Sequence, residues 1–270
     1  MILARPARWA LLVVFTVLTL VPLLWLLLSS FKTTEELFAS PFALPHSWSF
    51  TNYSSALRAQ PMVTFLRNSV LASLLSTAMI IVASLLASYA LLHTFRISRG
   101  VFGFLLFGIL LPVNALMTPI FYIINELSLY NSVFGLSLTY AGVFFPLGFL
   151  VVKTYMDTTP AEILEAARLD GASFHGIFRR IIVPLTGPGI ATAVIFLFIT
   201  TWNELLFATL LTQDAAAQTV QVGIRSFLAT YSANYPQALA ATVMAIAPTV
   251  VVYMVLSDRV TGAMTAGSIK

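Results

Sequence analysis

TPAEILEAARLDGASFHGIFRRIIVPLTGP, residues 159–188, is a charged island in an oily chain. Glu162, Glu165, Arg168, Asp170, Arg179 and Arg180 fall within it, although charged residues make up only 9% of the 270. Its local chemistry predicts two short helices. Thr159 is placed to N-cap the first, Pro160 suits the first helical position, and Glu162 completes a capping box. Asp170-Gly171 reads as a helix stop, because Gly171 adopts the left-handed conformation of a C-terminal cap at no steric cost. Ser173 caps the second helix, whose Phe174, Ile177, Phe178 and Ile181 recur at i, i+3, i+4 and i+7. Pro184 and Pro188 are expected to end it and start a new element. A polar helix with small Ala166 and Ala167, followed by an oily-faced helix, has the make-up of a docking element.

The chain around the island sets its surroundings. A mean hydropathy of +0.93 and 59% hydrophobic residues exclude an ordinary soluble globule, which carries about 25% charged residues. Apolar runs of about 20 residues are the mark of membrane-spanning helices. With no cysteine, a disulfide framework, a thiolate metal site and a cysteine nucleophile are all excluded. The net charge of +4 is too small to point to nucleic acid. In a membrane protein the placement of the positive charges matters more than their sum.

Six spans can be drawn, which predicts an all-α membrane protein. The first covers about 9–28 and is too long, with too poor a cleavage site after it, for a signal peptide. The second covers about 65–92, lined by the small residues Ser69, Ser73, Ser76, Ala83, Ala87 and Ser88, which favour close helix packing in lipid. The third covers about 101–124, broken by Pro112 and Pro119, and the fourth about 133–152. The fifth covers about 187–211 and the sixth about 238–256, with 32–61 and 212–237 as connecting loops.

An even number of spans puts both termini on one side. Arg5, Arg8, Arg96, Arg99, Lys153, Arg168, Arg179, Arg180, Arg259 and Lys270 fall on that side. Lys32, Arg58, Arg67 and Arg225 fall on the other. The positive-inside rule therefore predicts that the termini and the island are cytoplasmic.

Within the island, Glu165-Ala166-Ala167, three residues, Gly171, nine residues and Ile181-Ile182-Val183-Pro184 resemble the EAA loop of ABC importer permeases. Val183 stands where that pattern has leucine. EAARLDGAS with PLTGP behind it is similar to the carbohydrate-importing branch, in particular the smaller permease subunit of maltose-type and trehalose-type importers. The resemblance extends over the whole chain through Asn52-Tyr53, Asn68-Ser69, Trp202-Asn203-Glu204 and Met264-Thr265-Ala266-Gly267. Asn114, where glutamine or glutamate is common, and Thr139, where proline is common, depart from it.

The resemblance implies a type I ABC importer permease fold in a bacterial plasma membrane. Residues 1–270 would form a single membrane domain: 1–65 the first helix and outer loop, 66–257 the core with a coupling loop at 155–185, and 258–270 a tail. It implies that Glu165, Ala166, Ala167, Arg168, Asp170, Gly171, Ala172, Phe174 and Phe178 couple the chain to a separate ATPase. None of the 13 glycines is followed by lysine, so the chain has no phosphate-cradling loop of its own. ATP and magnesium are expected in two nucleotide-binding partner subunits, with no cofactor on this chain and no covalent chemistry. The other implied partners are a second, homologous permease, an extracytoplasmic solute-binding protein and membrane lipid, but no nucleic acid.

Asn203 and Glu204 form an Asn-Glu pair inside a predicted span, where an ionisable group normally faces protein or water. Two roles stay open for them, lining a translocation path or gate and a structural hydrogen bond to a neighbouring helix. Trp202 beside them, and Asn114 between two prolines, are further path candidates. Arg225, Phe227 and Tyr231 in the 212–237 loop are candidate contacts to a binding protein. The expected function is half of the transmembrane pathway for an oligosaccharide or disaccharide. The same architecture carrying glycerol phosphate or another small solute is the first alternative. An autonomous secondary transporter, for which inverted repeats and mid-membrane carboxylates would be expected, is the second.

Overall fold

The computed structural model describes residues 5–92, 98–230 and 234–266, with side chains for all of these except 5, 6, 8, 98, 99, 226–230 and 256–266. Helices account for the secondary structure of the described residues: α1 Arg5–Ser29, α2 Thr34–Ala39, α3 Thr51–Ala59, α4 Met62–Leu92, α5 Ser98–Leu110, α6 Met117–Glu126 and α7 Val133–Met156. There follow α8 Ala161–Leu169, α9 Phe174–Ile177, α10 Val183–Leu185, α11 Gly187–Trp202, α12 Leu206–Leu211, α13 Val220–Thr230 and α14 Tyr235–Ala266. Among the described residues, α1, α4, α7 and α14 are each long and apolar enough to cross a membrane, and two bent helix pairs bring the number to six if each pair is one span. The six-span, all-α reading therefore holds, with two spans bent.

Both bends have local causes. In the third span Gly100–Leu110 and Val113–Glu126 meet at 96°, with Pro112 at the break and a single 3-10 turn at Val113–Leu116 opening the second arm. Pro119, expected to break the same span again, does not. It occupies the first turn of α6, where the missing N–H would have had no intrahelical partner. Pro184 likewise fails to end its helix. A π-helical turn over Phe178–Ile182 lets the Val183 N–H reach the Phe178 carbonyl, so the i−4 pattern that proline violates is already suspended one residue before it. Helical backbone runs on to Leu185, and the 68° bend comes after it, between Phe174–Leu185 and Gly187–Trp202.

The predicted fifth span, 187–211, is also divided. α11 stops at Trp202 and a separate six-residue helix starts at Leu206. The two connecting loops are more regular than their polarity implied, for 32–61 contains α2 and α3, and 212–237 contains α13.

The chain divides into two compact units, Met1–Val63 with Gly223–Pro248, and Thr64–Val222 with Thr249–Lys270. In the second unit, α4, α7 and α11 pack around Ile80, Ile81, Leu85, Val152, Met156, Ala193 and Leu197. Close approach here depends on Gly148, where a Cβ would stand 2.3 Å from the Ile80 side chain and 3.2 Å from Leu197. A second cluster gathers Ala72, Ile124, Leu136, Tyr140, Phe207, Ala208 and Leu211. In the first unit an aromatic group forms after α1, with the Phe31 ring 5.4 Å from each of Trp48, Phe50 and Tyr53. Asn52 ties it down by donating to the carbonyls of Ser30 and Lys32, both at 2.8 Å.

Candidate functional site: the island and its supports

The island begins one residue later than its sequence implies. Pro160 is the N-cap of α8 and makes no side-chain cap bond, so the expected capping box of Thr159 and Glu162 does not form. Thr159 instead completes the turn that leaves α7, its N–H bonded to the Met156 carbonyl. The other end is as expected. Gly171 has φ +75°, its N–H reaches the Arg168 carbonyl at 3.0 Å, and the Ala172 N–H reaches the Ala167 carbonyl at 2.9 Å. These two bonds are the pair that defines a Schellman cap. Ser173 then caps α9, its Oγ accepting from the Gly176 N–H at 3.2 Å.

α8 touches the bundle through one narrow face. Ala167 is buried and Leu164 packs against the same core cluster, whereas Glu165, Ala166, Arg168, Asp170, Gly171 and Ala172 are exposed. Leu169 is 89% exposed, which sequence reasoning passed over. Its position in the last turn, between Arg168 and Asp170, was the available signal. Leu169 stands at a helix end fixed by the Schellman cap. Beside it, Gly171, Ala172, Ser173, His175, Gly176, Arg179, Arg180 and Ile181 line a cleft of about 490 Å³ with a cationic wall.

Tyr89, near the end of α4, joins this element to the bundle and was also missed. It is 2% exposed, its hydroxyl donates to the Phe174 carbonyl at 2.8 Å, and its ring lies 4.5 Å from that of Phe174 and 5.0 Å from that of Phe178. Both phenylalanines are therefore held by one tyrosine on α4. Lys153 and Asp157 form an ion pair on the last turn of α7.

At the opposite end of α4, buried Asn68 donates to the carbonyls of Ala216 at 2.8 Å and Gln218 at 3.0 Å. Ser69 Oγ accepts from the Val220 N–H at 2.8 Å. Asn68 and Tyr89 are 21 residues apart, about 31 Å along a helix rising 1.5 Å per residue. One continuous helix thus holds the island at one end and the 216–220 segment at the other.

Glu204 sits in the break between α11 and α12. Its Oε1 accepts from the N–H groups of Leu206 at 2.7 Å and Phe207 at 3.0 Å, and its Oε2 from the Ala208 N–H at 3.1 Å. The same Oε2 accepts from the Tyr140 hydroxyl at 2.9 Å. These bonds satisfy the free donors at the start of α12, with a negative group at the positive end of its dipole. Of the two roles left open by sequence, this geometry supplies the structural one.

The other path candidates separate. Asn203 is exposed, and its Oδ1 accepts from Gln221 Nε2 at 3.3 Å. Asn114 is exposed in the 3-10 turn at the 96° break. Trp202 is only 1% exposed and stacks on Phe198, ring centres 5.7 Å apart, so it is an interior residue here. Arg225 is exposed on α13. The Phe227 side chain and all of Tyr231 lie outside the described residues.

Comparison with known proteins supplies the context for this arrangement. The sequence model of a family described as "Binding-protein-dependent transport system inner membrane component" matches residues 79–264. The chain is similar to the sulfoquinovosyl glycerol transport system permease protein SmoH of Agrobacterium fabrum, 33% identical over 98% of this chain and 94% of that one. It is similar to the trehalose transport system permease protein SugB of Mycobacterium tuberculosis, 31% identical over 98% of each. It is similar, too, to the diacetylchitobiose uptake system permease protein NgcG of Streptomyces coelicolor, 30% identical over 97% of this chain and 87% of that one. In fold it matches a chain of a solved bacterial ABC transporter involved in the import of the acidic polysaccharide alginate. The TM-score is 0.80 at 22% identity, over 96% of this chain and 99% of the other.

Proposed function

Because the chain belongs to the family of binding-protein-dependent transport system inner membrane components, we propose that it forms half of the membrane pathway of an ATP-driven importer for an oligosaccharide or disaccharide. The relatives named above support the sugar, since the names of SmoH, SugB and NgcG each specify a glycoside or saccharide. A second, homologous permease completes the pathway, and an extracytoplasmic binding protein delivers the solute. Two nucleotide-binding subunits hold ATP and magnesium, and this chain contributes no catalytic group. The charge asymmetry of the loops supports a cytoplasmic location for both termini and for the 155–185 loop.

The observation that carries the reading is the shape of α8. Leu164 and Ala167 anchor it to the core, it ends in a rigid cap at Gly171, and it presents Leu169 almost fully exposed. Glu165, Ala166, Ala167, Arg168, Asp170, Gly171 and Ala172 form the coupling surface, with Phe174 and Phe178 transmitting its movement to Tyr89. We assign Asn203 and Asn114, both exposed, to the translocation path, with Glu204 shaping the break beside Asn203. We take Arg225, Phe227 and Tyr231 as the candidate contacts to the binding protein.

The test is isolation of the chain from its own membranes in mild detergent, followed by reconstitution and uptake of labelled sugars and glycerol phosphate. An ATPase is expected to co-isolate, and uptake of a saccharide is expected to require ATP and a binding protein. Uptake driven by an ion gradient with no ATPase present would overturn the reading. Preference for glycerol phosphate would keep the importer and replace its solute.

A further inference from the structure

Apolar side chains outside the spans gather in the connection that follows α1. Phe38 is 66% exposed, Phe42 84% and Leu44 67%. With Trp48 at 61% and Phe50 at 68% in the same connection, exposed apolar surface of this extent marks an interaction surface. Contacts from Trp25, Tyr235 and Lys32 hold it in place. Trp25 Nε1, in the last turns of the apolar Trp9–Ser29 segment, donates to the Pro41 carbonyl at 2.9 Å. The Phe38 ring meets Tyr235 edge-on, centres 5.6 Å apart and planes at 87°, and Tyr235 is the first residue of the apolar Tyr235–Val255 segment. Lys32, 2% exposed, donates from Nζ to the carbonyls of Ser40 and Pro41, both at 2.9 Å.

The patch is therefore bonded to the ends of two spans, and Phe42 directly follows the residue that Trp25 holds. Trp25 and Tyr235 are the residue types that mark the boundary between hydrocarbon and headgroups. Residues 9–24 of α1 are all exposed and Leu27 is 40% exposed near its end, so the apolar outer surface of α1 runs on towards Phe42 and Leu44. The polar groups of α2 are spent elsewhere: Thr33 and Glu36 close a capping box on each other, and Glu35 is exposed to water. We propose that Phe38–Leu44 is an interfacial membrane anchor, with Phe42 and Leu44 inserted among the lipid headgroups and upper acyl chains. A segment lying in the interface binds in proportion to the apolar area it buries there. Lys32 and Trp25 act as positioning residues that fix its depth.

The chain contains no cysteine, so F42C, L44C and E35C each provide a unique site for a nitroxide label. The full chain is reconstituted in phosphatidylethanolamine and phosphatidylglycerol vesicles, and label collisions are measured with oxygen, which enters lipid, and with a water-soluble nickel chelate. The oxygen-to-nickel ratio is expected to be several-fold higher at F42C and L44C than at E35C. Equal ratios at the three positions would overturn the proposal, as would protection of F42C from both reagents, since that outcome means protein covers the patch. Both apolar positions are exposed, so the labels leave the packed interior untouched.

Discussion

The hydroxyl of Tyr89 donates to the main-chain oxygen of Phe174 over 2.8 Å. That oxygen belongs to the first residue of α9, so the bond joins α4 to the island without involving an island side chain. Tyr89→Phe keeps the ring against Phe174 and Phe178 and removes only the donor. A hydrogen bond of this kind contributes about 1 kcal/mol net, so the variant is expected to insert and assemble with a thermal midpoint close to wild type. The effect should appear in coupling, as more ATP hydrolysed per molecule imported in vesicles. An unchanged ratio in Tyr89→Phe and in Tyr89→Leu would remove Tyr89 from the coupling route.

Gly171 is required for its backbone and not for space. Its φ is +75°, and a Cβ built there meets nothing within 4 Å. Left-handed geometry costs a residue with a side chain about 1–2 kcal/mol, least for asparagine. Gly171→Asn is therefore expected to retain most import, while Gly171→Val distorts the cap, shifts Leu169 and lowers import with the chain still in the membrane. Import assays on membrane-normalised samples check this, and equal activity of the two variants would show that the cap geometry is not used.

Much of this was legible in the sequence, and the failures share a cause. Gly171 and Ser173 were readable because a left-handed cap and a hydroxyl cap are decided by one residue and its immediate neighbours. The prolines were not, because their effect depends on their register within a helix. Pro119 falls in a first turn, and Pro184 follows a π-turn that begins six residues upstream at Phe178. The capping box at Thr159 was lost to a competing bond to Met156, which depends on where α7 ends. Tyr89 and Leu169 were missed because each has meaning only once α4, α8 and α9 are side by side. The spans themselves were visible from hydropathy alone, since lipid imposes that pattern on any helix crossing it.

Glu204 accepts three main-chain N–H groups and the Tyr140 hydroxyl. Bonds to a charged acceptor contribute about 1.5–3 kcal/mol. Glu204→Ala leaves the first donors of α12 and the buried phenol unpaired, and is expected to destabilise the chain by about 2–4 kcal/mol on those grounds. Glu204→Gln has one acceptor oxygen in place of two and should lose less. Tyr140→Phe should lose least, because the carboxylate keeps its three backbone donors. Thermal unfolding in detergent gives the order, and import measured at a temperature where all variants are folded gives the functional part. If Glu204→Gln is as stable as wild type yet imports poorly, Glu204 acts in the path as well as in the cap.

Asn68 offers the sharpest test of α4 as a connector, because its amide serves as donor to two carbonyls, Ala216 and Gln218, from a fully buried position. Asn68→Ala abandons both carbonyls, a loss of about 1–3 kcal/mol for each buried group left unsatisfied. Asn68→Asp is nearly isosteric but replaces the donor with an acceptor facing two acceptors, so it should be the worse of the two in stability. If α4 carries movement between the 216–220 segment and the island, both variants should also weaken the stimulation of ATP hydrolysis by the loaded binding protein. Hydrolysis without the binding protein should stay near its wild-type rate, because Asn68 lies about 31 Å along α4 from Tyr89. Loss of basal hydrolysis together with stimulation would point to general unfolding, and intact stimulation in a destabilised variant would leave Asn68 with a purely local role.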